Sequence, residues 1–249
     1  MYQLGLIEQG GLLLSCRVGN MYVVQITDTA LIIPAHNEGT VIAATLGAAT
    51  DMFSYVVCVD DGSTDDTFVQ AHQAGALTLK HTVNLGQGAA LQTGIEYALR
   101  LPVHYFVSFD ADGQHRIEDV LTMRETILDR GVDIVLGSRF LGPNSIPWSR
   151  RILLKGAVIF SNLISGLKLT DAHNGLRLFN RHVAETINLQ ETGYQHASEF
   201  TDKIAKNHYT YTEVPVTIDY TSYSMAKGQS SLNAVNILID TLTAKAFRQ

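Results

Sequence analysis

The sequence predicts an α/β fold: a single domain on a mostly parallel central sheet flanked by helices. Three observations predict it. Short apolar runs alternate with stretches at helical spacing, the pattern of βαβ units. Several of those runs end in acid-rich turns, as strands of an open parallel sheet do where ligands bind. The 249 residues, 46% hydrophobic and 17% charged, suffice for one large core, and no linker, internal repeat or low-complexity segment divides them.

The elements follow in order. Ala30-Leu31-Ile32-Ile33-Pro34 reads as a first buried strand that Pro34 ends. A helix over about 38–49 leads to a strand at 55–59. Residues 64–75 read as a helix, with Ser63 or Thr64 as its N-cap and Asp65 and Asp66 in its first turn. A short strand at 76–79 precedes a helix at 88–100. Then come the apolar run Tyr105-Phe106-Val107, a helix near 117–130 and a strand at 133–136. After Gly137 the alternation weakens.

Composition excludes several classes. A net charge of −6 and a pI near 5.8 argue against a nucleic-acid binder, which needs a basic face. Cys16 and Cys58 are far apart and no Cys-x-x-Cys occurs, so neither a zinc site nor a disulfide framework is indicated. Cys58, inside an apolar run, reads as a small core residue, and this cysteine usage suits a reducing cytoplasm. No run of about 18 apolar residues occurs, so no spanning helix is expected. Gly11-Leu12-Leu13-Leu14 is too short for a secretory signal and follows Glu8. Residues 1–20 are unlike the rest and read as a dispensable extension, whose deletion should leave activity intact.

The chemistry concentrates at the ends of the apolar runs. These are Pro34-Ala35-His36-Asn37-Glu38, Asp60-Asp61-Gly62-Ser63-Thr64-Asp65, Phe109-Asp110-Ala111-Asp112-Gly113-Gln114-His115 and Gly137-Ser138-Arg139. Each alone has an ordinary structural reading: a turn acceptor, a first-turn helix acid, a surface cation. In a parallel sheet, however, these ends share one edge, and four such coincidences at one cleft are improbable. Paired carboxylates suit Mg²⁺, which shares one or two of them with substrate phosphates. Asp61 could accept hydrogen bonds from a base edge, and Arg139 could pair with phosphate.

As an ordered set, these motifs resemble the family 2 inverting glycosyltransferases of the GT-A fold, within them the dolichyl- and polyprenyl-phosphate sugar transferases. The resemblance covers about residues 28–231, which implies a catalytic domain at 21–231. It implies a nucleotide-sugar donor, Mg²⁺ or Mn²⁺, and transfer of a hexose-type sugar with inversion. It places Pro34, His36 and Glu38 in the nucleotide pocket, where dolichyl enzymes often have Tyr in place of His36. Val59 and Asp61 would meet base and ribose. Asp110, Ala111 and Asp112 would hold ribose and diphosphate, with Asp112 and Gln114 at the metal and Arg139 on the donor. Asp171-Ala172-His173-Asn174-Gly175-Leu176-Arg177 resembles the family's Asp-x-x-x-Gly-Phe-Arg element, which makes Asp171 and Arg177 candidates for the sugar or acceptor side. Glu199 falls where relatives place an acceptor-side acid, with a helix-surface Glu as the alternative. Lys227, in Met225-Ala226-Lys227-Gly228-Gln229-Ser230-Ser231, stands where dolichyl-type enzymes have an Arg, and a point charge replaces a bidentate fork.

Asn84-Leu85-Gly86-Gln87-Gly88 lacks the third glycine of a dinucleotide loop and reads as a turn opening a helix near the donor phosphates. The acceptor stays open. A saccharide hydroxyl needs a positioned carboxylate, Glu199 or Asp171, whereas polyprenyl phosphate is already anionic near neutral pH. A catalytically silent nucleotide-sugar-binding partner of a membrane protein is the alternative outside enzymes. Between 134 and 170 lie Arg139, Arg150, Arg151, Lys155 and Lys168, no acid, Trp148, and the helical stripe Leu153, Ala157, Phe160, Ile164, Leu167. That stripe suits core or homodimer packing, or else a membrane interface, which would make a cytoplasmic protein peripheral on the inner face of the plasma membrane. A second amphipathic stripe at 232–249 (Leu232, Val235, Ile239, Leu242) raises the same choice.

Overall fold

The computed structural model describes residues 13–18, 21–142, 148–172, 174–193 and 195–219. Lys227 and the stripe at 232–249 therefore lie outside the described residues. The elements run β1 (Leu13–Val18), β2 (Met21–Ala35), α1 (Ile42–Met52), β3 (Phe53–Asp60), α2 (Thr67–Gln73), β4 (Leu77–Lys80), α3 (Gln87–Ala98) and β5 (Tyr105–Ser108). They continue with α4 (Ile117–Arg130), β6 (Ile134–Ser138), α5 (Trp148–Ser165), β7 (Arg177–Asn180), α6 (Arg181–Thr186), α7 (His196–Lys206) and β8 (Tyr211–Pro215).

One sheet carries them in the order β4-β3-β2-β5-β7-β6-β8, with β1 also paired to β2. Strands β4, β3, β2 and β5 run parallel. β7 is antiparallel to both its neighbours, and β8 is parallel to β6. After Gly137, where the sequence pattern weakens, the regular order changes too: β7 runs antiparallel to its neighbours, and two helices, α6 and α7, separate it from β8. β1, inside the stretch read as a separable extension, pairs antiparallel with residues 21–26 of β2.

The central strands are buried on both faces, so Leu31, Ile32, Ile33, Val57 and Val59 have no exposed surface. One apolar layer gathers Leu31, Ile33, Leu46, Phe53, Met123 and Ile127. The opposite layer gathers Ile32, Val57, Leu91, Ile95, Phe179 and Phe200. Cys58 is indeed a core residue, its thiol pushed up to about 12 by burial and by the nearby charge of Asp60, so it is held as the inert thiol.

Two helix starts differ from expectation. α1 begins at Ile42 rather than at residue 38, because Glu38 O accepts from Val41 N and Ile42 N in a preceding turn. α2 begins at Thr67, with Asp66 rather than Ser63 or Thr64 at the N-cap position and no side-chain cap bond. Ser63, Thr64 and Asp65 are instead used between the two acid-rich turns.

Candidate active site

The carboxyl ends of β2 and β3 carry turns that are stitched together side chain to backbone. Asn37, at φ +54°, presents its N–H to Ser63 Oγ at 2.9 Å and its Oδ1 to Thr64 N at 2.9 Å. Glu38 N donates to Thr67 Oγ1 at 2.8 Å and Gly39 N to Asp65 Oδ2 at 3.0 Å. The imidazole Nδ1 of His36 faces the carbonyl of Asp61 at 2.8 Å, so that nitrogen carries the proton. Of the expected pocket residues, Val59 has its side chain sealed in the core, which leaves its main chain for any ligand contact.

Asp61 is 3% exposed. Its Oδ1 accepts from His81 Nδ1 at 2.7 Å and Leu85 N at 2.9 Å, and its Oδ2 from Gly86 N at 2.7 Å. The carboxylate therefore braces the turn that opens α3. That turn was expected near the donor phosphates, but the backbone packed on its glycines is protein. Gly86, at φ +99°, would place a Cβ 2.2 Å from Thr192 O, and Gly88 would place one 2.0 Å from Glu191 O. Gly88 N donates to Thr192 O at 2.8 Å. Only Gln87 turns toward the acids, its Nε2 lying 3.3 Å from Asp110 Oδ1.

Asp110 and Asp112 follow β5 in opposite electrostatic settings. Burial would raise Asp110, but the hydrogen bond from His115 Nε2 at 2.9 Å and the His115 charge, with Arg177 behind, hold it below the usual value. Asp112 is pushed up to about 6 by burial first and then by Asp110, with Glu38 adding to the rise. Its Oδ1 accepts from Gln114 N at 3.1 Å. A carboxylate strained in this way gains from a nearby cation. Among the described residues no group of three His, Cys, Asp or Glu side chains could hold a metal alone. Gly175 lies against the pair: a Cβ there would be 2.5 Å from Asp110 Oδ2, and Gly175 O accepts from Ser108 Oγ.

The remaining candidates are engaged with the protein. Arg139, at the end of β6, donates to Asp171 through Nε at 2.7 Å, Nη2 at 2.8 Å and its backbone N at 3.0 Å. Asp171 N in turn donates to Glu213 at 3.1 Å. Arg177 is 3% exposed; it stacks 4.5 Å over Phe200, donates from Nε to Asn174 O, and among the described residues has no hydrogen-bond partner for Nη1. Burial lowers it to about 10 against the pull of Asp110 and Asp171, so it stays a cation behind Asp110. His196 is lowered to about 4 by burial and by Arg177, hence neutral, and its Nδ1 donates to Gly193 O at 2.8 Å. Glu199 is neither a free surface acid nor turned to the cleft. Its oxygens accept from Gln190 N at 3.0 Å and Glu191 N at 2.8 Å, with Lys203 Nζ at 3.5 Å.

α5 differs from its sequence reading in which face is exposed. Of the stripe, Ala157, Phe160 and Leu167 are half-buried but Ile164 is 42% exposed, while Val158, off the stripe, is in the core where α5 packs against α7. The opposite face is apolar too: Trp148 is 77% exposed, Ile152 53%, Ile159 69% and Leu163 82%. Arg151 and Lys155 are exposed beside them. Among the described residues no helix is long and apolar enough to cross a membrane.

Sequence reasoning assigned no role to His115, His81, Gln87, His196 or Glu213. His115 stood inside the quoted acid motif and was the one with a readable signal. The others act on partners at least 12 residues away, apart from the local His196–Gly193 contact.

The family model described as Glycosyl transferase family 2 matches residues 30–187. The chain is 29% identical over 238 residues to a UDP-N-acetylglucosamine–dolichyl-phosphate N-acetylglucosaminyltransferase of Methanococcus voltae, covering 86% of this chain and 95% of that one. It is 29% identical to a polyprenol monophosphomannose synthase of Mycolicibacterium smegmatis, covering 82% of each. A crystal structure of glucosyl-3-phosphoglycerate synthase from Mycobacterium tuberculosis with Mg²⁺ and uridine diphosphate shares the fold, at TM-score 0.64 and 17% identity over 86% of this chain and 79% of that one.

Proposed function

The chain belongs to glycosyl transferase family 2, and from that premise we propose that it moves a hexose-type sugar, with inversion, from a nucleotide-sugar donor to polyprenyl phosphate. It is a glycosyltransferase with an α/β fold of the GT-A type; donor, acceptor and metal are the proposed part. The observation that carries the proposal is the acid pair after β5, where Asp110 is held ionised and Asp112 is raised to about 6.

The residues divide the work as follows. The stitched turns after β2 and β3, with Pro34, His36, Glu38, Asp61 and the main chain at Val59, form the nucleotide side. Asp110, kept anionic by His115, and the main chain at Ala111 orient ribose and diphosphate. Asp112 and Gln114 are the residues that would hold Mg²⁺ or Mn²⁺. Such an ion, when bound, supplies positive charge to the departing diphosphate. Arg139, fixed by Asp171, and Lys227 supply cationic groups on the donor side. An acceptor oxygen attacks the anomeric carbon from the face opposite the diphosphate. The new C–O bond forms as the bond to the β-phosphate oxygen breaks, and the nucleoside diphosphate leaves.

The acceptor choice rests on how the two candidate bases are engaged. Asp171 is committed to Arg139 and Glu199 to the 190–191 backbone, which favours a nucleophile that needs no deprotonation. A phosphate is such a nucleophile. A lipid-linked acceptor also suits the exposed apolar and basic face of α5, which has the composition of an interfacial helix and would hold the protein peripherally. The named relatives use lipid-phosphate acceptors with different sugars.

The test is nucleoside diphosphate release from UDP-, GDP- and dTDP-sugars, with polyprenyl phosphate or a saccharide, with and without chelator. Asp112→Ala serves as the inactive control. Release that needs polyprenyl phosphate and is abolished by chelator is expected; release with saccharide alone would overturn the acceptor assignment.

A further inference from the structure

His81 follows β4, at the sheet edge, and lies outside the acid motifs. Its side chain is 12% exposed, its backbone N donates to Asp60 O at 2.9 Å, and its ring bridges two elements. Nδ1 faces Asp61 Oδ1 at 2.7 Å and Nε2 faces Thr93 Oγ1, on α3, at 3.0 Å. A carboxylate only accepts, so Nδ1 carries a proton and the Asp61 oxygen is fixed in direction. The other contacts of Asp61 are the N–H groups of Leu85 and Gly86. Those residues lead directly into the glycine seat on which Glu191 and Thr192 rest. Glu199 clamps the same segment from its far side by accepting from Gln190 N and Glu191 N.

The chain of contacts therefore runs from α3 through His81 and Asp61 to the 85–88 turn and on to the 190–193 segment. Asp61 lies on the nucleotide side of the proposed site. The 190–193 segment, anchored by Glu199, packs on the turn whose Gln87 faces Asp110. We propose that the 190–193 segment borders the acceptor half of the site, and that His81 is a positioning residue that sets its spacing from the donor half by fixing Asp61 and hence the glycine seat of that segment. The inference rests on the glycosyltransferase reading above, and gives His81 no contact of its own with substrate.

Three variants test it: His81→Phe, which removes both ring contacts; His81→Asn, whose amide can still donate to Asp61; and Thr93→Val, which cuts only the Nε2 contact. With polyprenyl phosphate and the best sugar nucleotide, His81→Phe is expected to raise the KM for donor and acceptor together by about tenfold, the scale of one charge-assisted hydrogen bond. kcat should change by less than about threefold. His81→Asn should return both KM values to near wild type. Hydrogen exchange of the substrate-free protein supplies a readout independent of turnover: peptides over 85–88 and 189–193 should exchange faster in His81→Phe and normally in His81→Asn. A rise in donor KM alone, no change in either KM, or an Asn variant as impaired as Phe would overturn the proposal. If His81→Phe does not fold, unchanged exchange at 189–193 in Thr93→Val overturns it instead. A wild-type enzyme that turns over no donor would count against the functional reading, while the exchange experiment still decides on His81.

Discussion

Replacing Glu199 by Gln separates a base from a brace. The carboxylate is 14% exposed and accepts from Gln190 N at 3.0 Å and Glu191 N at 2.8 Å, with Lys203 at 3.5 Å. In the amide, one oxygen remains to accept, charge assistance is lost, and an NH₂ group is turned toward N–H donors. Losing one charge-assisted contact of this kind costs about 2 kcal/mol. For a chain of this size that lowers Tm by roughly 4–8 °C. A brace also leaves the chemical step nearly intact, so kcat at 25 °C should fall by less than about tenfold, whereas removal of a general base costs roughly 10²–10⁴-fold. Differential scanning fluorimetry and nucleoside diphosphate release on the same preparation measure both quantities. A hundredfold loss of kcat with Tm unchanged would refute the reasoning, and would restore a hydroxyl acceptor deprotonated by Glu199.

Three further outcomes are expected. In the folded protein Asp112 holds its proton up to about pH 6, against 3.8 as its ordinary value, so above pH 6 its ionised form costs stability that a cation recovers. The rise in Tm on adding Mn²⁺ should therefore be larger at pH 7.5 than at pH 5, and equal shifts would remove Asp112 from the metal site. Gly175→Ala puts a methyl 2.5 Å from Asp110 Oδ2, and the ångström-scale displacement needed to relieve it should cost about 10²-fold in turnover; Gly156→Ala on α5 meets nothing within 4 Å and should be active and slightly more stable. Flotation with anionic vesicles should be strong for the wild type, weaken with salt as Arg151 and Lys155 are screened, and fail for Ile159→Glu with Leu163→Glu. Flotation unchanged in that double variant would show that α5 is not the contact.

How much of this was legible follows from the range of each signal. Helix α4 has its expected bounds because its apolar spacing and its first-turn acids Glu118 and Asp119 are all local. The buried strands of the first half were equally plain, since β-branched runs between turn residues need no distant partner to be recognised. β7 was not. It is four residues long, begins with the buried cation Arg177, and is defined by pairing with β5 some 70 residues earlier. Within the site, the structure brings the backbones of the acid motifs and of Arg139 to one edge, as a parallel sheet implies. Their engagements were hidden for the same reason. Asp61 accepts from residues 20 to 25 places on, Arg139 binds Asp171 32 places on, and neither leaves a local pattern. On α5 the stripe was legible only in part, since Ala157 and Phe160 turn inward but Ile164 is exposed, and the outward apolar residues, interrupted by Lys155, were not read as a second face.

The seating of Glu191 and Thr192 on Gly86 and Gly88 has a practical consequence for recombining enzymes of this kind. A segment lifted from a relative to change acceptor preference would arrive with a backbone path fitted to that relative's own turn. Any side chain at the two glycine positions of the recipient, or any altered curvature in the graft, would collide at about 2 Å, with no rotamer to absorb it. Residues 84–88 and 190–196 are thus a single unit of exchange despite the hundred residues between them. Chimeras that carry both pieces should fold where those carrying one do not.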